Sequence, residues 1–262
     1  MYKLFRDIYC RRELLFMLIG RNLKIRYKSS ILGFFWSLLG PILMIVIYAL
    51  FARILRFSGG KPNYVQFLVV GLVVWQFHVM CLNDSLHAVM GNVSLVKKTV
   101  FPRIILPLST ILADLVNFLL TGVVVVLYLA VMRTPLGAVW LLPPILLTQL
   151  ALSLGGALVI STANVFFRDT EHILSVITLA WFFLTPVFYP LELQLSALPE
   201  AWRWLTFVNP MTGLVGAYRA VMLAEPWPPA GGLMLSCCVA WAVLAIGMAV
   251  FQTFQVRFGD EL

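Results

Sequence analysis

The sequence predicts an all-α integral membrane protein with six transmembrane helices, an N-terminal amphipathic interface helix and two short outer re-entrant helices. Of its 262 residues, 61% are apolar and only 11% are charged, whereas about 25% of the residues of a typical soluble domain are charged. The apolar residues are gathered in long runs. A soluble fold and a disordered chain are both excluded, since disorder requires low hydrophobicity and high charge.

Six of the apolar runs are long enough to cross a hydrocarbon core of about 30 Å, which takes about 20 helical residues. They are continuously apolar instead of alternating, which favours helices over the strands of a membrane barrel. The fifth run is the shortest, and Pro186 predicts a kink within it. The predicted spans are residues 31–52, 64–82, 104–132, 140–166, 173–189 and 231–254.

The distribution of basic residues predicts the orientation, because cytoplasmic loops are enriched in Lys and Arg. Of the 19 basic residues, 13 fall on one side of the six spans and six on the other. We expect the richer side, which includes both termini, to be cytoplasmic. The poorer, outer side carries Arg53, Arg56, Lys61, Arg133, Arg203 and Arg219.

Residues 1–30 are predicted to form a cytoplasmic interface helix that precedes the six-span domain, residues 31–262. Apolar residues recur in it with helical spacing, and a basic cluster follows. It is not a signal peptide, because Arg21 stands where a small-residue cleavage site is needed. A simple positively charged anchor is the alternative. Beside apolar spans, the net charge of +8 indicates contact with anionic lipid headgroups and not with nucleic acid.

The outer segment between the fifth and sixth spans, residues 191–230, is bordered and punctuated by six prolines. Two apolar pieces remain within it, 199–207 and 211–223, and each is too short to span the membrane. Asn209 followed by Pro210 is typical of a helix N-cap and first turn. We predict two short helices that dip into the outer leaflet.

Polar residues inside the spans are candidates for function, because they are costly to bury in a membrane. In the third span, Thr110, Asp114, Asn117 and Thr121 fall on one helical face. Asp114 is interpreted as a structural carboxylate with a partner in the protein, and a role in proton transfer is the alternative.

No motif predicts metal binding or catalysis on this chain. Gly60-Lys61 is similar to the end of a phosphate-binding loop, but Leu55 and Pro62 replace the residues that such a loop requires. The three histidines lack metal-ligand spacing, and the four cysteines include no C-x-x-C pair. We therefore expect no cofactor and no metal on this chain.

Aromatic residues concentrate in the first and fifth spans. Rings near the middle of a span fit poorly with an interfacial belt, although core packing is an alternative for each of them. Aromatic faces can stack on sugars, and a kink at Pro186 would leave a carbonyl near Phe182 free to meet water or sugar. The predicted substrate channel is lined by Phe34, Tyr48, Trp181, Phe188 and Tyr189.

Four motifs resemble the permease subunits of ABC exporters for cell-surface polysaccharides. Residues 26–37 read RYKSSILGFFWS, residues 97–103 read KKTVFPR, and residues 209–211 read NPM. NVFFRD at 164–169 leads into WFFLTPVFY at 181–189. The order and spacing of the motifs cover nearly the whole chain, and the pattern is closer to the O-antigen and teichoic-acid permeases than to the capsule permeases.

The resemblance implies a half-transporter of the type-2 exporter fold that forms a homodimer in the cell inner membrane. A separate ATPase chain, with ATP and Mg, is expected on each subunit. The substrate would be a polyprenyl-pyrophosphate-linked polysaccharide. ATPase docking is expected at Lys97, Lys98, Arg168 and Asp169, and an outer gate at Trp202, Trp204, Asn209 and Pro210.

The basic cluster of the N-terminal segment is predicted to hold the pyrophosphate end of the lipid carrier, because a pyrophosphate needs several charged donors. Anchoring to anionic lipid is the alternative. The residues are Arg21, Lys24, Arg26 and Lys28.

Two other functions remain open. One is a drug or lipid exporter of the same fold, and the other is a membrane-embedded enzyme acting on polyprenyl-linked sugars. Such an enzyme would be expected to have clustered acids, whereas only Asp84 and Asp114 lie in or at the ends of spans. A neighbouring gene for an ATPase with a phosphate-binding loop would favour the exporter.

Overall fold

The computed structural model describes residues 6, 9–27, 35–55, 63–98 and 101–261, and within these ranges the regular structure is helical. Short 3₁₀ segments are Met90–Asn92, Val139–Leu141, Glu200–Val208 and Gln255–Arg257. The α-helices are α1 (Arg12–Tyr27), α2 (Trp36–Leu55), α3 (Tyr64–Leu86), α4 (Val93–Lys98), α5 (Ile105–Val131), α6 (Leu142–Phe166), α7 (Thr170–Leu184), α8 (Leu191–Ser196), α9 (Pro210–Leu223), α10 (Ala230–Phe254) and α11 (Phe258–Glu261).

Four helices in the described ranges are long and apolar enough to cross a membrane. They are Tyr64–Leu86, Ile105–Val131, Val139–Phe166 and Ala230–Arg257. Four of the six predicted spans are therefore confirmed as long apolar helices. The first and fifth predicted spans coincide with shorter apolar stretches, Leu39–Leu50 within α2 and Thr170–Leu184.

The predicted kink at Pro186 is wrong, because α7 ends at Leu184 before it reaches the proline. Thr185 is extended, with φ −100° and ψ 134°, the conformation that the ring of a following proline imposes on its neighbour. The carbonyl of Phe182 accepts the Thr185 N–H at 3.2 Å. It is therefore not free, contrary to the prediction.

The elements predicted to share the cytoplasmic side lie together at one end of the bundle, here called the proximal end. Leu18 of α1, Val96 of α4, Ile105 of α5 and Phe258 of α11 are buried in one apolar cluster. The two ends of the described chain therefore meet at the same end of the bundle, as the charge distribution predicts.

The opposite end, here called the distal end, contains α8 and α9. Tyr64 at the start of α3, Val187 after α7, and Met211 and Tyr218 of α9 share a second buried cluster. The loop after α5 also reaches this end, where the Gly137 N–H donates to the carbonyl of Val221 at 2.7 Å.

The most extensive helix contact in the described chain joins α6 to α10. A Cβ added to Gly247 would meet the carbonyl oxygen of Gly155, and one added to Gly155 would lie 2.6 Å from the Val243 main chain. Ser236 and Ala240 are fully buried on the same helix. Small residues thus allow the two backbones to approach closely, which stabilises helix pairs where no water is present to be excluded.

We predict that Gly247→Val lowers the free energy of unfolding by about 1–3 kcal/mol, the usual cost of overpacking a tight contact. Thermal unfolding of the detergent-purified protein measures the change. The matched control is Gly122→Val in α5, where an added Cβ meets nothing within 4 Å. An equal fall in both variants would contradict the close α6–α10 contact.

Candidate functional sites at the two ends of the bundle

The proximal site is an ion-paired cluster that joins α1 to the membrane helices α3 and α5. The Nη2 atom of Arg26, in the last turn of α1, donates to Asp114 Oδ1 at 2.6 Å and also contacts Asp84 Oδ2. The Asp114 side chain is fully buried, whereas those of Asp84 and Arg26 are 38% and 28% exposed. Arg26 is therefore the partner that a buried carboxylate requires, as the sequence interpretation of Asp114 expected.

Arg26 was also predicted to help hold a pyrophosphate, and the structure bears on that role. Its guanidinium lies between two carboxylates, so much of its charge is balanced locally. Arg21 is half-buried, with Nη2 3.5 Å from Asn22 Oδ1, and Lys24 is exposed. Lys28 lies outside the described residues. Pyrophosphate binding stays a prediction. Among the described residues, Arg21 and Lys24 are better candidates for it than Arg26, because the charge of Arg26 faces two carboxylates.

A cavity of about 270 Å³ lies beside Arg26 and between α2, α3 and α5. Asn117 and Thr121 line it, so the polar face predicted for the third span is directed at protein and cavity. Aromatic and apolar side chains form the rest of the wall, and Gln76 adds a further amide. The lining residues are Arg26, Trp36, Gly40, Pro41, Met44, Val73, Gln76, Phe77, Met80, Asn117, Phe118 and Thr121.

The distal site is a junction between α7 and α9, centred on Asn209. Asn209 Oδ1 accepts the Met211 N–H at 3.1 Å and the Trp181 indole N–H at 2.7 Å. Its Nδ2 donates to Thr185 Oγ1 at 2.8 Å. The predicted N-cap is thus confirmed, with Pro210 in the first turn of α9. The same side chain also joins two of the motifs found in the sequence.

Three of the rings predicted to line a channel, Trp181, Phe188 and Tyr189, pack on aromatic rings of the same chain. The Trp181 ring lies 5.9 Å from Trp75 and 5.0 Å from His78, in edge-to-face arrangements. Tyr189 contacts Phe188, and its hydroxyl donates to the Phe183 carbonyl at 3.0 Å.

The other two rings of the predicted channel come from the first predicted span. Tyr48 of α2 packs against the distal cluster, and Phe34 lies outside the described residues. Trp181 also borders an apolar cavity of about 530 Å³ between α3, α6, α7 and α10. The channel stays a prediction.

The residues predicted for the outer gate divide into an exposed group and a packed group. Trp202 and Trp204, in the 3₁₀ segment Glu200–Val208, are 57% and 54% exposed. Pro210 is buried and Asn209 is half-buried. The two short distal elements are therefore held to the bundle to very different degrees.

The residues predicted to dock an ATPase lie at the proximal end. Lys97 at the end of α4, and Arg168 and Asp169 between α6 and α7, are exposed. The side chain of Lys98 is outside the described part of the chain. The exposed residues flank the turns that join membrane helices, and these turns are the part of a bundle that a soluble partner can reach.

Arg219 is the residue that sequence analysis missed. It was counted only as a basic residue of the outer side, but the structure buries it to 3% exposure. A signal was available, since Arg219 is the only charged residue in the otherwise apolar helix α9. Such a residue requires partners in the protein, but the sequence does not indicate which ones.

The fold and these sites are those of a membrane-embedded helical protein, and comparison with known proteins identifies its family. Residues 13–223 match the ABC-2 type transporter family, and the chain belongs to this family. The resemblance to ABC-transporter permeases is thereby confirmed. The chain is 35% identical over 259 residues to an O-antigen export system permease protein RfbA of Klebsiella pneumoniae, covering 95% of each chain.

Two further relatives have the same name. A second Klebsiella pneumoniae protein is 31% identical over 259 residues, again with 95% of each chain covered. The relative from Myxococcus xanthus is 34% identical over 265 residues and covers 100% of both chains. The similarity therefore extends over both the proximal and the distal site.

We predict that Arg26→Ala lowers the free energy of unfolding by about 1–3 kcal/mol, because it leaves Asp114 buried and unpaired. The loss is smaller than for a fully buried pair, because Arg26 is partly exposed. Arg26→Ala combined with Asp114→Asn should recover part of the loss, since the buried charge is then gone. Thermal unfolding in detergent measures both. Lys24→Ala, on the exposed face of α1, is the control, and an equal effect there would contradict the ion pair's importance.

Proposed function

We propose that this chain is the permease subunit of an ATP-driven exporter that moves a polyprenyl-pyrophosphate-linked polysaccharide of the O-antigen type across the cytoplasmic membrane. The observation that carries the proposal is its 31–35% identity, over 95–100% of its length, to proteins named O-antigen export system permease. The junction at Asn209 supports it, because two motifs of the resemblance contact each other there.

In the proposed topology, six helices cross the membrane and the proximal end faces the cytoplasm. The four long apolar helices, with α2 and α7, account for the six spans. α7 has 15 residues, which is about 22 Å at 1.5 Å per residue. We propose that the non-helical segment 185–190, which consists of turns and bends, continues its path toward the outer surface. The basic residues of α1 support the orientation, since Lys and Arg concentrate in cytoplasmic segments.

A homodimer is the proposed working assembly. On α7, Ile173, Ile177 and Phe183 are more than half exposed in the protomer, and so are Val46 and Ile47 of α2. A hydrated polymer requires a path that lipid does not fill, and a second copy facing α2 and α7 would close one side of such a path. The aromatic residues proposed to line it are Phe34, Tyr48, Trp181, Phe188 and Tyr189.

The proposed energy source is a separate ATP-binding subunit docked at the proximal end. The exposed positions Lys97, Arg168 and Asp169 support this. The ion pairs of Arg26 with Asp84 and Asp114 connect α1, at the proposed docking face, to α3 and α5. Movement imposed on α1 would therefore be transmitted into the membrane bundle.

Deletion of the gene tests the transported substrate. We expect lipid-linked glycan to accumulate on the cytoplasmic side and to disappear from the outer side, because its synthesis does not need the permease. Labelling of the glycan on intact and permeabilised cells measures both pools, and reintroduction of the wild-type chain is the control. Unchanged outer glycan would favour a drug or lipid exporter, and a missing lipid-linked glycan would favour an enzyme.

Site-directed cross-linking tests the docking surface. We expect Lys97→Cys and Asp169→Cys each to cross-link to the ATPase in assembled complexes, since both positions are exposed at the proximal end. Glu200→Cys, exposed at the distal end, is the matched control and should give no cross-link. The docking surface is wrong if neither proximal position reacts while the complex is intact.

A further inference from the structure

Arg219 forms a buried clamp between three parts of the distal end. From α9, its Nε donates to the Phe67 carbonyl of α3 at 3.2 Å, and its Nη1 donates to the Pro186 carbonyl at 2.6 Å. Nη2 donates to the carbonyl of Val187. The guanidinium carbon also lies 3.3 Å from the centroid of the Phe67 ring. One side chain thus connects α9, α3 and the segment that follows α7.

The clamp depends on the planar shape of the guanidinium. Arginine presents several N–H donors in a rigid fork and stacks on aromatic rings, whereas lysine offers a compact point charge. Here the fork reaches carbonyls on two different elements while the plane covers a ring. A lysine at this position would retain the positive charge but could not serve the same set of carbonyls.

Gly71 provides the space for the clamp. A Cβ at this position of α3 would overlap Arg219 Nη2, and it would lie 3.1 Å from the guanidinium carbon and 3.0 Å from the Val187 carbonyl oxygen. Gly71→Ala therefore displaces the clamp without altering α9. This provides an independent means of disturbing the same contact.

Two further contacts hold the segment after α7 in place. The Tyr64 hydroxyl of α3 donates to the Phe188 carbonyl at 2.7 Å, and Asn209 bonds to Thr185 at the other end of α9. Residues 185–188 are therefore fixed from α3 and from both halves of α9. Val187 has no exposed surface.

The neighbouring distal element is held much less firmly. Twelve of the 14 residues of α9 are buried, but in the 3₁₀ segment Glu200–Val208 only Thr206 and Phe207 are. Trp202 and Trp204 have more than half of their surface exposed. If the distal end moves during export, the exposed segment has far fewer contacts to break.

We propose that Arg219 is a positioning residue that fixes α9, residues 186–187 and the outer half of α3 as one rigid block, so that the distal gate opens by movement of Glu200–Val208 against that block. The gating role of Glu200–Val208 rests on the proposed exporter function. The rigid block itself is independent of the substrate, and it can be tested without transport.

The block is tested by the protection of a cysteine at Val187. In a background with the four native cysteines replaced, Val187→Cys should stay unreactive toward a membrane-impermeant maleimide. We expect Arg219→Lys and Gly71→Ala each to raise its labelling rate at least about tenfold in folded protein, isolated as a monodisperse species. Arg203→Lys, at an exposed distal arginine, and Gly122→Ala, at an open glycine, should leave it protected.

Two outcomes would overturn the block. One is a protected Val187→Cys in folded Arg219→Lys and Gly71→Ala proteins. The other is a loss of folded protein in both variants while the remaining molecules stay protected, which would make Arg219 a packing residue only. Because labelling needs no substrate, it stays informative if the deletion experiment rejects polysaccharide export.

The moving part is tested by two disulfides. Phe207→Cys with Gly232→Cys joins the 3₁₀ segment to α10, where an added Cβ at Gly232 lies 2.7 Å from Phe207 Cγ. Gly216→Cys with Pro228→Cys joins α9 to the loop before α10, where an added Cβ at Gly216 lies 3.8 Å from Pro228 Cβ, an ordinary separation for a disulfide. We expect oxidation of the first pair to stop export, and reduction to restore it. Oxidation of the second pair should leave export unchanged. The opposite result would overturn the assignment of the moving part.

Discussion

Polar groups inside an apolar bundle must find partners within the protein, because lipid tails and packed hydrocarbon cannot form hydrogen bonds. Two arginines meet this constraint in different ways. Arg26 pairs with the carboxylates of Asp84 and Asp114, whereas Arg219 donates to main-chain carbonyls and stacks on Phe67. In both cases the arginine lies on a short helix. The partners of Arg26 lie on α3 and α5, and those of Arg219 lie on α3 and in the segment after α7. The two charges therefore fix the short helices to the bundle.

The resulting molecule has a closely packed centre, to which α1 is attached at the proximal end and α9 at the distal end. Glycines at 155 and 247 bring α6 and α10 into close contact, and α1 and α9 are attached to this centre through their arginines. At the distal end of α7, Trp181 and the following Thr185 bond to Asn209. For an exporter, this arrangement would carry motion from a proximal ATPase to the distal end along fixed contacts. The exposed segment Glu200–Val208 would then respond to that motion.

The motifs of the resemblance gain a physical meaning from these contacts. RYKSS begins with Arg26, whose side chain forms the proximal ion pair. NPM contributes the N-cap of α9 and, through the same Asn209 side chain, receives the indole N–H of WFFLTPVFY. These short patterns therefore mark positions where distant parts of the chain are joined, which is consistent with their spread over nearly the whole sequence.

The sequence by itself determined the membrane class, the long spans, the segregation of charge and the N-cap at Asn209, because composition, run length and capping are local properties. It misjudged Pro186, since a proline near the end of an apolar run is compatible with a kink as well as with a helix end. The tertiary structure alone decided that Arg26 meets Asp114, 88 residues away, and that Arg219 meets Pro186 and Phe67. A charge within an apolar run indicates that a partner is needed, but the identity of the partner depends on which helices pack side by side.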